Sequence, residues 1–165
     1  MREEYDPLLL RMFLNYPYLP TPRTVIETAL TLLDLDETAI FADLGSGEGN
    51  VTTIVAEKFN CFCVGFEIDL RLIKEAKQKI KNTPIKHNIE YVQADLFRVD
   101  LSHFDAIYVY PFPTIAPKLS EKIKTECKKT TKIVAYDYPL VGFTPKKVAT
   151  VNVGLHTNKI YLYTL

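Results

Sequence analysis

Long hydrophobic runs are missing from this sequence. Its apolar stretches are no longer than a buried strand, whereas a membrane-spanning helix needs about 20 predominantly apolar residues. The opening residues, MREEYDPLLLRMF, carry acids and a proline where a signal peptide needs a basic start and an unbroken apolar run. We therefore expect a cytoplasmic protein that is neither exported nor inserted into a membrane.

Cysteine is scarce, with three residues in the whole chain. Cys61 and Cys63 lie in one apolar run, and no histidine or further cysteine accompanies them at the spacing of metal ligands. Structural zinc sites need four such ligands, and disulfide frameworks need paired cysteines. We interpret these cysteines as reduced core thiols, and we expect no metal site.

The chain also has no formal net charge, because its 20 basic and 20 acidic side chains balance. General nucleic-acid binders and membrane-surface binders usually carry a marked positive excess, so the balance argues against both. The two ends of the chain differ, however. Residues 1–50 hold three basic and nine acidic side chains, and residues 117–165 hold nine basic and three acidic ones. This distribution predicts an electrical dipole; the alternative is a solvated surface without functional meaning.

The order of elements predicts a parallel sheet with crossover helices. A chain of 165 residues can form one hydrophobic core and is too short for two ordinary domains. Short apolar runs alternate with helix-length segments, which is typical of α/β folds. The expected strands span residues 39–44, 61–68, 88–94, 105–110 and 132–138.

Capping signals and a terminal hairpin complete this organisation. Thr21 as N-cap with Pro22 at the first helical position predicts a helix there, and Asp69 predicts the cap of an amphipathic helix. Two alternating runs, 147–153 and 159–165, are joined by the loop GLHTN. They predict an antiparallel hairpin at the edge of the sheet.

Three glycines follow the first predicted strand and open the next helix: Gly45, Gly47 and Gly49. Glycine permits positive φ and lets a ligand lie against bare backbone, where the amides of a helix N-terminus point outward. The dinucleotide fingerprint would place its last glycine at position 50, which is Asn50 here. The loop therefore indicates a small-molecule site with a different spacing, DxGxGxG, beginning at Asp43.

Acidic residues end the first three predicted strands: Asp43, Glu67 and Asp95. Doubly wound folds bind ligands at the carboxyl ends of their strands, and an acid about 20 residues after the first motif accepts both ribose hydroxyls. Glu67 lies near that offset. Three carboxylates at one edge suit a nucleoside that is partly positive and carries no phosphate.

These motifs, with FDAIYV leading into the fourth strand, resemble the class I S-adenosylmethionine-dependent methyltransferases over nearly the whole chain. The resemblance implies a doubly wound, Rossmann-like α/β domain spanning residues 1–165, with a mostly parallel seven-stranded sheet and an antiparallel C-terminal hairpin. It implies S-adenosylmethionine as cofactor, with Asp43 and the loop at its methionine end, Glu67 at the ribose, and Asp95 with Leu96 at the adenine.

A narrower resemblance concerns the proline-rich segment before the first helix. The leader ending in PYLPTP and the hairpin after VGFTPKKV are similar to small archaeal protein-lysine methyltransferases that lack a SET domain, and to their mitochondrial relatives. In those relatives the leader, here residues 1–23, folds over the cofactor. The cofactor-binding residues expected in total are Asp43, Gly45, Ser46, Gly47, Gly49, Glu67, Ile68, Asp95, Leu96, Tyr18, Pro20 and Thr21.

Lysine side chains of proteins are the methyl acceptors that this resemblance implies. Tyr110, Pro111 and Phe112, after the fourth strand, are expected to wall the acceptor site, although YPFP departs from the aliphatic sequence expected there. An aromatic wall attracts an ammonium by cation–π interaction, and desolvation favours the neutral, nucleophilic amine. We expect none of the three histidines to serve as a required general base.

Three alternatives remain open. Base N-methyltransferases acting on RNA or DNA often carry Asn/Asp-Pro-Pro-aromatic after the fourth strand, and the YPFP segment keeps that place but not that chemistry. An NAD-dependent oxidoreductase would share the fold, but the glycine spacing differs. A cofactor-binding scaffold without catalytic activity would use the same loop.

Overall fold

The computed structural model describes residues 19–165. Within this range, seven strands form one sheet in the order β3-β2-β1-β4-β5-β7-β6. The strands are β1 (Ile40–Leu44), β2 (Phe62–Glu67), β3 (Ile89–Gln93), β4 (Ala106–Val109), β5 (Lys132–Tyr136), β6 (Lys147–Val153) and β7 (His156–Thr164).

Helices cover both faces of this sheet. They are α1 (Arg23–Leu32), α2 (Asn50–Phe59), α3 (Leu70–Ile80) and α4 (Ala116–Glu126), with a short 3₁₀ turn at Pro84–His87. The apolar sides of α1, α2 and α3 share one buried cluster with Phe41, Tyr91 and Tyr108 of the sheet. On the opposite face, α4 packs with Leu101 and Phe104 against β1, β4 and β5. The predicted three-layer α/β architecture is confirmed.

The topology determines where a ligand can bind. Strands β1 to β5 are parallel, and the chain runs outward from β1 in one direction through β2 and β3 and in the other through β4 and β5. In such sheets the crevice lies at the carboxyl ends of the strands, where the order reverses. β7 pairs antiparallel with β5, and β6 forms the edge, as predicted for the hairpin.

The start of α1 differs from the prediction. Pro22 rather than Thr21 is the N-cap, and no side chain caps the helix. The Pro22 carbonyl accepts hydrogen bonds from the amides of Val25 and Ile26, at 2.9 and 3.1 Å. The Thr21 hydroxyl instead lies 3.3 Å from the Tyr108 hydroxyl. The Thr21 side chain therefore contacts Tyr108 of the sheet, which is far away in the sequence. A local capping rule cannot anticipate this contact.

Two further local predictions, the Asp69 cap and the free Cys61 and Cys63, agree with the structure. Asp69 caps α3, because its side chain accepts a hydrogen bond of 2.8 Å from the Arg71 amide. Cys61 and Cys63 are free and buried, with their sulfur atoms 3.9 Å apart. β7 begins at His156, so the hairpin loop is shorter than GLHTN. Between residues 19 and 165, the chain has no helix with the length and apolarity to cross a membrane.

Candidate active site

A cavity of about 320 Å³ opens at the carboxyl edge of the sheet. It lies at the ends of β1, β2, β3 and β4, and α2 and α3 begin beside it. Ten of the residues singled out from the sequence line it: Thr21, Asp43, Gly45, Ser46, Glu67, Ile68, Asp95, Leu96, Tyr110 and Phe112.

Asp43 lies at the base of this cavity and is only 2% exposed. In the sheet it is paired with Gly65 on one side and Tyr108 on the other. Burial, followed by repulsion from Glu67, raises the pKa of the Asp43 carboxyl to about 8. The site therefore contains a buried acid whose ionised form requires a neighbouring positive charge, and a cationic ligand would supply one.

The glycine loop turns back over β2. The amides of Gly45 and Ser46 donate to the Phe66 carbonyl at 2.8 and 2.9 Å. Gly45 has φ +87°, a conformation that other residues rarely adopt. The Ser46 hydroxyl is buried and has no hydrogen-bond partner in the described part of the chain. Because buried polar groups are nearly always paired, this orphaned hydroxyl in the cavity wall suits a polar ligand.

Backbone amides hold the Glu67 carboxylate in place. Its Oε2 accepts a hydrogen bond of 2.9 Å from the Gly47 amide, and its Oε1 accepts bonds from Ile68 and Asp69 at 2.7 and 2.9 Å. An ionised carboxylate has about four acceptor positions, so one remains for a ligand donor. Glu67 is thus fixed in orientation and still able to accept a ligand hydroxyl.

Asp95 also lines the cavity and is 7% exposed. Its Oδ1 accepts a hydrogen bond of 2.9 Å from the Phe97 amide, and its Oδ2 lies 4.0 Å from Nε of Arg98. The structure therefore brings the three predicted acids together around one cavity. Residues 19–165 contain no cluster of acidic, histidine or cysteine side chains arranged to hold a metal ion.

Comparison with known proteins decides the class of ligand. A sequence model of the ANTKMT methyltransferase domain matches residues 43–147, which include all three acids. The chain belongs to this family. It is an S-adenosylmethionine-dependent methyltransferase.

Individual relatives agree with this assignment. A protein-lysine N-methyltransferase of Saccharolobus islandicus is 29% identical, covering 92% of this chain and 94% of the relative. The adenine nucleotide translocase lysine N-methyltransferase of Mus musculus is 24% identical over 91% of this chain, which spans 63% of that relative. The structure of an RNA methyltransferase from Salinibacter ruber with S-adenosylhomocysteine has a TM-score of 0.80 and 31% identity, covering 88% and 93% of the two chains.

The residues of the methyltransferase fit its cofactor. S-adenosylmethionine has a ribose diol, an adenine amine, and positive charge on its sulfonium and amino groups, but no phosphate. The cavity presents a fixed carboxylate at Glu67, a nearly buried acid at Asp43, a further acid at Asp95 and an unpaired hydroxyl at Ser46. These side chains suit that nucleoside, and the carboxylates would repel a phosphate.

Some predicted cofactor residues lie outside the cavity wall. Pro20, Gly47, Gly49 and Pro111 do not line the cavity, and Tyr18 lies outside the described residues. Their cofactor and acceptor roles stay predictions.

Gly49 has a packing role that the sequence did not reveal. A Cβ there would lie 2.6 Å from Cζ of Tyr91, and the residue has φ +77°. The Tyr91 hydroxyl lies 2.8 Å from the Thr52 hydroxyl, within hydrogen-bond distance. The glycine is therefore needed to admit a phenol from β3 beneath the start of α2.

Sequence reasoning missed Tyr108. Its side chain is 3% exposed and lines the cavity, and burial raises its pKa well above the ordinary range of a phenol. A signal was available, because residues two apart on a strand point to the same face, so Tyr108 should accompany Tyr110. The other unpredicted lining residues are Leu19, Leu44, Asn50, Val51, Phe66, Asp69, Arg71, Leu72, Ala94 and Ile115.

Proposed function

We propose that this methyltransferase methylates the side-chain amines of lysines in proteins. The Saccharolobus islandicus and Mus musculus relatives are both named as lysine N-methyltransferases, and the first aligns over almost its whole length. The substrate named for a relative does not by itself establish the substrate of this chain. The proposal therefore depends on the aromatic side chains that also line the cavity.

The observation that carries the proposal is an aromatic part of the cavity wall. Tyr110 and Phe112 both line the cavity, and their ring centroids are 4.4 Å apart at 68°. Both side chains are half-buried, so a substrate side chain can reach them from solvent. Aromatic faces attract an ammonium and also strip water from it. This wall is therefore suited to a long aliphatic chain that ends in an amine.

The chain's own residues have to position the acceptor and exclude water. When bound, S-adenosylmethionine supplies an activated methyl group on a sulfonium, so no catalytic nucleophile is required of the protein. An ammonium is not nucleophilic, but desolvation beside Tyr110 and Phe112 lowers its pKa and favours the neutral amine. Burial is the largest cause that raises the pKa of Tyr110 to about 12, so its hydroxyl stays protonated near neutral pH. Tyr110 then acts as a neutral wall and hydrogen-bonding group.

The segment before α1 contributes to the same enclosure. Leu19 and Thr21 line the cavity, and the Thr21 hydroxyl lies 3.3 Å from that of Tyr108. We propose that the leader, residues 1–23, covers the cofactor and shields the transfer from water; residues 1–18 of it lie outside the described part of the chain. Leu19 is 59% exposed in the described part, which leaves it available for further contact.

Methylation of an RNA base is the second candidate, because the Salinibacter ruber neighbour is titled an RNA methyltransferase and is 31% identical. The charge of this chain does not favour it. Nucleic-acid binders depend on a positive surface to contact phosphates, whereas the chain is neutral overall. Four of the ionisable residues around the cavity are acidic, Asp43, Glu67, Asp69 and Asp95, and one is basic, Arg71.

Labelling of a cell extract tests the proposal. The protein is incubated with extract and methyl-labelled S-adenosylmethionine, and parallel samples are treated with protease or nuclease. We expect the label to survive nuclease, to disappear with protease, and to map to lysine by mass spectrometry. Label that is lost with nuclease and resists protease would replace lysine with a nucleic-acid acceptor. Cofactor binding without any transfer would indicate a scaffold.

A further inference from the structure

Tyr110 belongs to two groups of residues at once. One side of the residue lines the cofactor cavity with Phe112. It also contacts two tyrosines that are not part of the cavity wall: its ring centroid is 5.1 Å from that of Tyr136 and 5.8 Å from that of Tyr138. All four rings are half-buried. The aromatic surface therefore extends beyond the cavity, toward the end of β5.

The residue between the two tyrosines has an unusual backbone. Asp137 has φ +66° and is one of two non-glycine residues with positive φ in residues 19–165. Its amide donates to the Lys159 carbonyl at 2.7 Å, and the Tyr138 amide donates to the Tyr136 carbonyl at 2.8 Å. Such backbone conformations are costly and tend to persist at functional sites. Here the turn places the rings of Tyr136 and Tyr138 beside Tyr110, with Asp137 between them in the chain.

The chemistry of this group favours a cation. Asp137 lies in the chain between the two tyrosines whose rings contact Tyr110. After burial, its charge is the largest cause that raises the pKa of Tyr110. The Tyr136 hydroxyl is held by Asn158 Oδ1, 2.9 Å away. A carboxylate next to a group of aromatic rings attracts an ammonium through both its charge and the rings, and repels phosphate.

We infer that Asp137, together with Tyr110, Tyr136 and Tyr138, binds the protonated lysine ammonium of the acceptor before it passes Tyr110 into the cavity. This inference deepens the proposed function and rests on it for the identity of the acceptor. Asp137 gives the site its charge selectivity, and the rings supply the surface along which the side chain enters. Beyond Tyr110 no carboxylate of this group stabilises the charge. Desolvation there makes the ammonium give its proton to solvent water, and the side chain continues as the neutral amine.

A binding measurement tests this inference without turnover. The full chain, saturated with S-adenosylhomocysteine, is titrated with N-acetyl-lysine methylamide or with N-acetyl-norleucine methylamide, which lacks the amine. NMR signals of the tyrosine rings report binding. We expect the lysine probe to shift the signals of Tyr110, Tyr136 and Tyr138 and to bind several-fold more tightly than the norleucine probe.

Asp137→Asn is the informative variant, because asparagine also tolerates the left-handed conformation and keeps the size of the side chain. We expect it to weaken the lysine probe by roughly five- to tenfold and to leave the norleucine probe unchanged. Glu57→Gln removes an equal charge from the exposed side of α2 and should change neither. Equal binding of both probes to the wild type, or no effect of Asp137→Asn, would overturn the inference.

Two changes at Tyr138 separate the ring from its hydroxyl. Tyr138→Phe keeps the aromatic face and should bind the lysine probe as the wild type does, whereas Tyr138→Leu should weaken it several-fold. Equal weakening by both variants would contradict a role for the ring. Failure of this inference is distinguishable from failure of the proposed function. Label that is lost with nuclease removes the proposed function and, with it, lysine as the acceptor at this site, whereas label on lysine with failed probe binding removes only this inference.

Discussion

Replacing Asp43 with asparagine should stabilise the protein in a pH-dependent way. The pKa of this carboxyl rises from an ordinary 3.8 to about 8 in the folded chain, chiefly because of burial and then because of Glu67. Between these values the folded protein keeps a proton that the unfolded chain releases. Folding therefore becomes less favourable as pH rises, and asparagine, which does not ionise, carries no such cost.

The magnitude follows from the linkage between proton binding and folding. Each pH unit within this window costs about 1.4 kcal/mol for one group. The contribution of Asp43 to stability is complete below about pH 4 and is lost progressively as pH rises toward its folded pKa of about 8. Going from pH 5 to pH 7, the wild type should thus lose roughly 3 kcal/mol relative to the variant.

Urea denaturation without cofactor measures this difference. Wild type and Asp43→Asn are unfolded at pH 5, 6 and 7, and the free energies of unfolding are subtracted at each pH, so that titrations common to both proteins cancel. Glu57→Gln, which removes the same charge from an exposed acid on α2, serves as the matched control. A flat difference for Asp43→Asn would refute the raised pKa and the electrostatic reasoning built on it.

Three further predictions concern the same site. Binding of S-adenosylmethionine at pH 7 should release up to one proton, because a cationic ligand favours the ionised form of Asp43. Calorimetry in buffers of different ionisation enthalpy measures the number of protons released. Zero release would show that the cationic end of the ligand does not lie beside Asp43. Glu67→Gln should weaken cofactor binding by about 1 to 3 kcal/mol, and an unchanged affinity would place the ribose elsewhere. Gly49→Ala should lower the melting temperature, because the alanine Cβ would overlap the Tyr91 phenol and because residue 49 has φ +77°. An unchanged melting temperature would contradict this close packing.

The sequence predicted the frame of the site because that frame depends on short-range patterns. Buried strands alternate with helices, and an acid lies at or near the carboxyl end of each of the first three strands. A parallel sheet therefore brings Asp43, Glu67 and Asp95 to one edge. The Asp69 cap likewise depends on neighbouring residues, and the structure contains it.

Features that depend on distant contacts were not predicted. Thr21 faces Tyr108 because β4 lies beside β1, and nothing near Thr21 indicates this. The third glycine, Gly49, leaves room for the Tyr91 side chain of β3. This contact exists only when the glycine loop packs against β3, so it cannot be read from the local sequence. Asp137 adopts positive φ without being glycine, and no simple pattern identifies such a residue.

A crystal structure of the protein with S-adenosylhomocysteine tests the central claim most directly. We predict ligand density in the cavity bounded by Asp43, Glu67 and Asp95, with the ribose hydroxyls bonded to Glu67. The crystals are grown at a ligand concentration that calorimetry shows to saturate the protein in solution. Ligand density at another place, or a cavity filled by the protein's own side chains, would contradict the account.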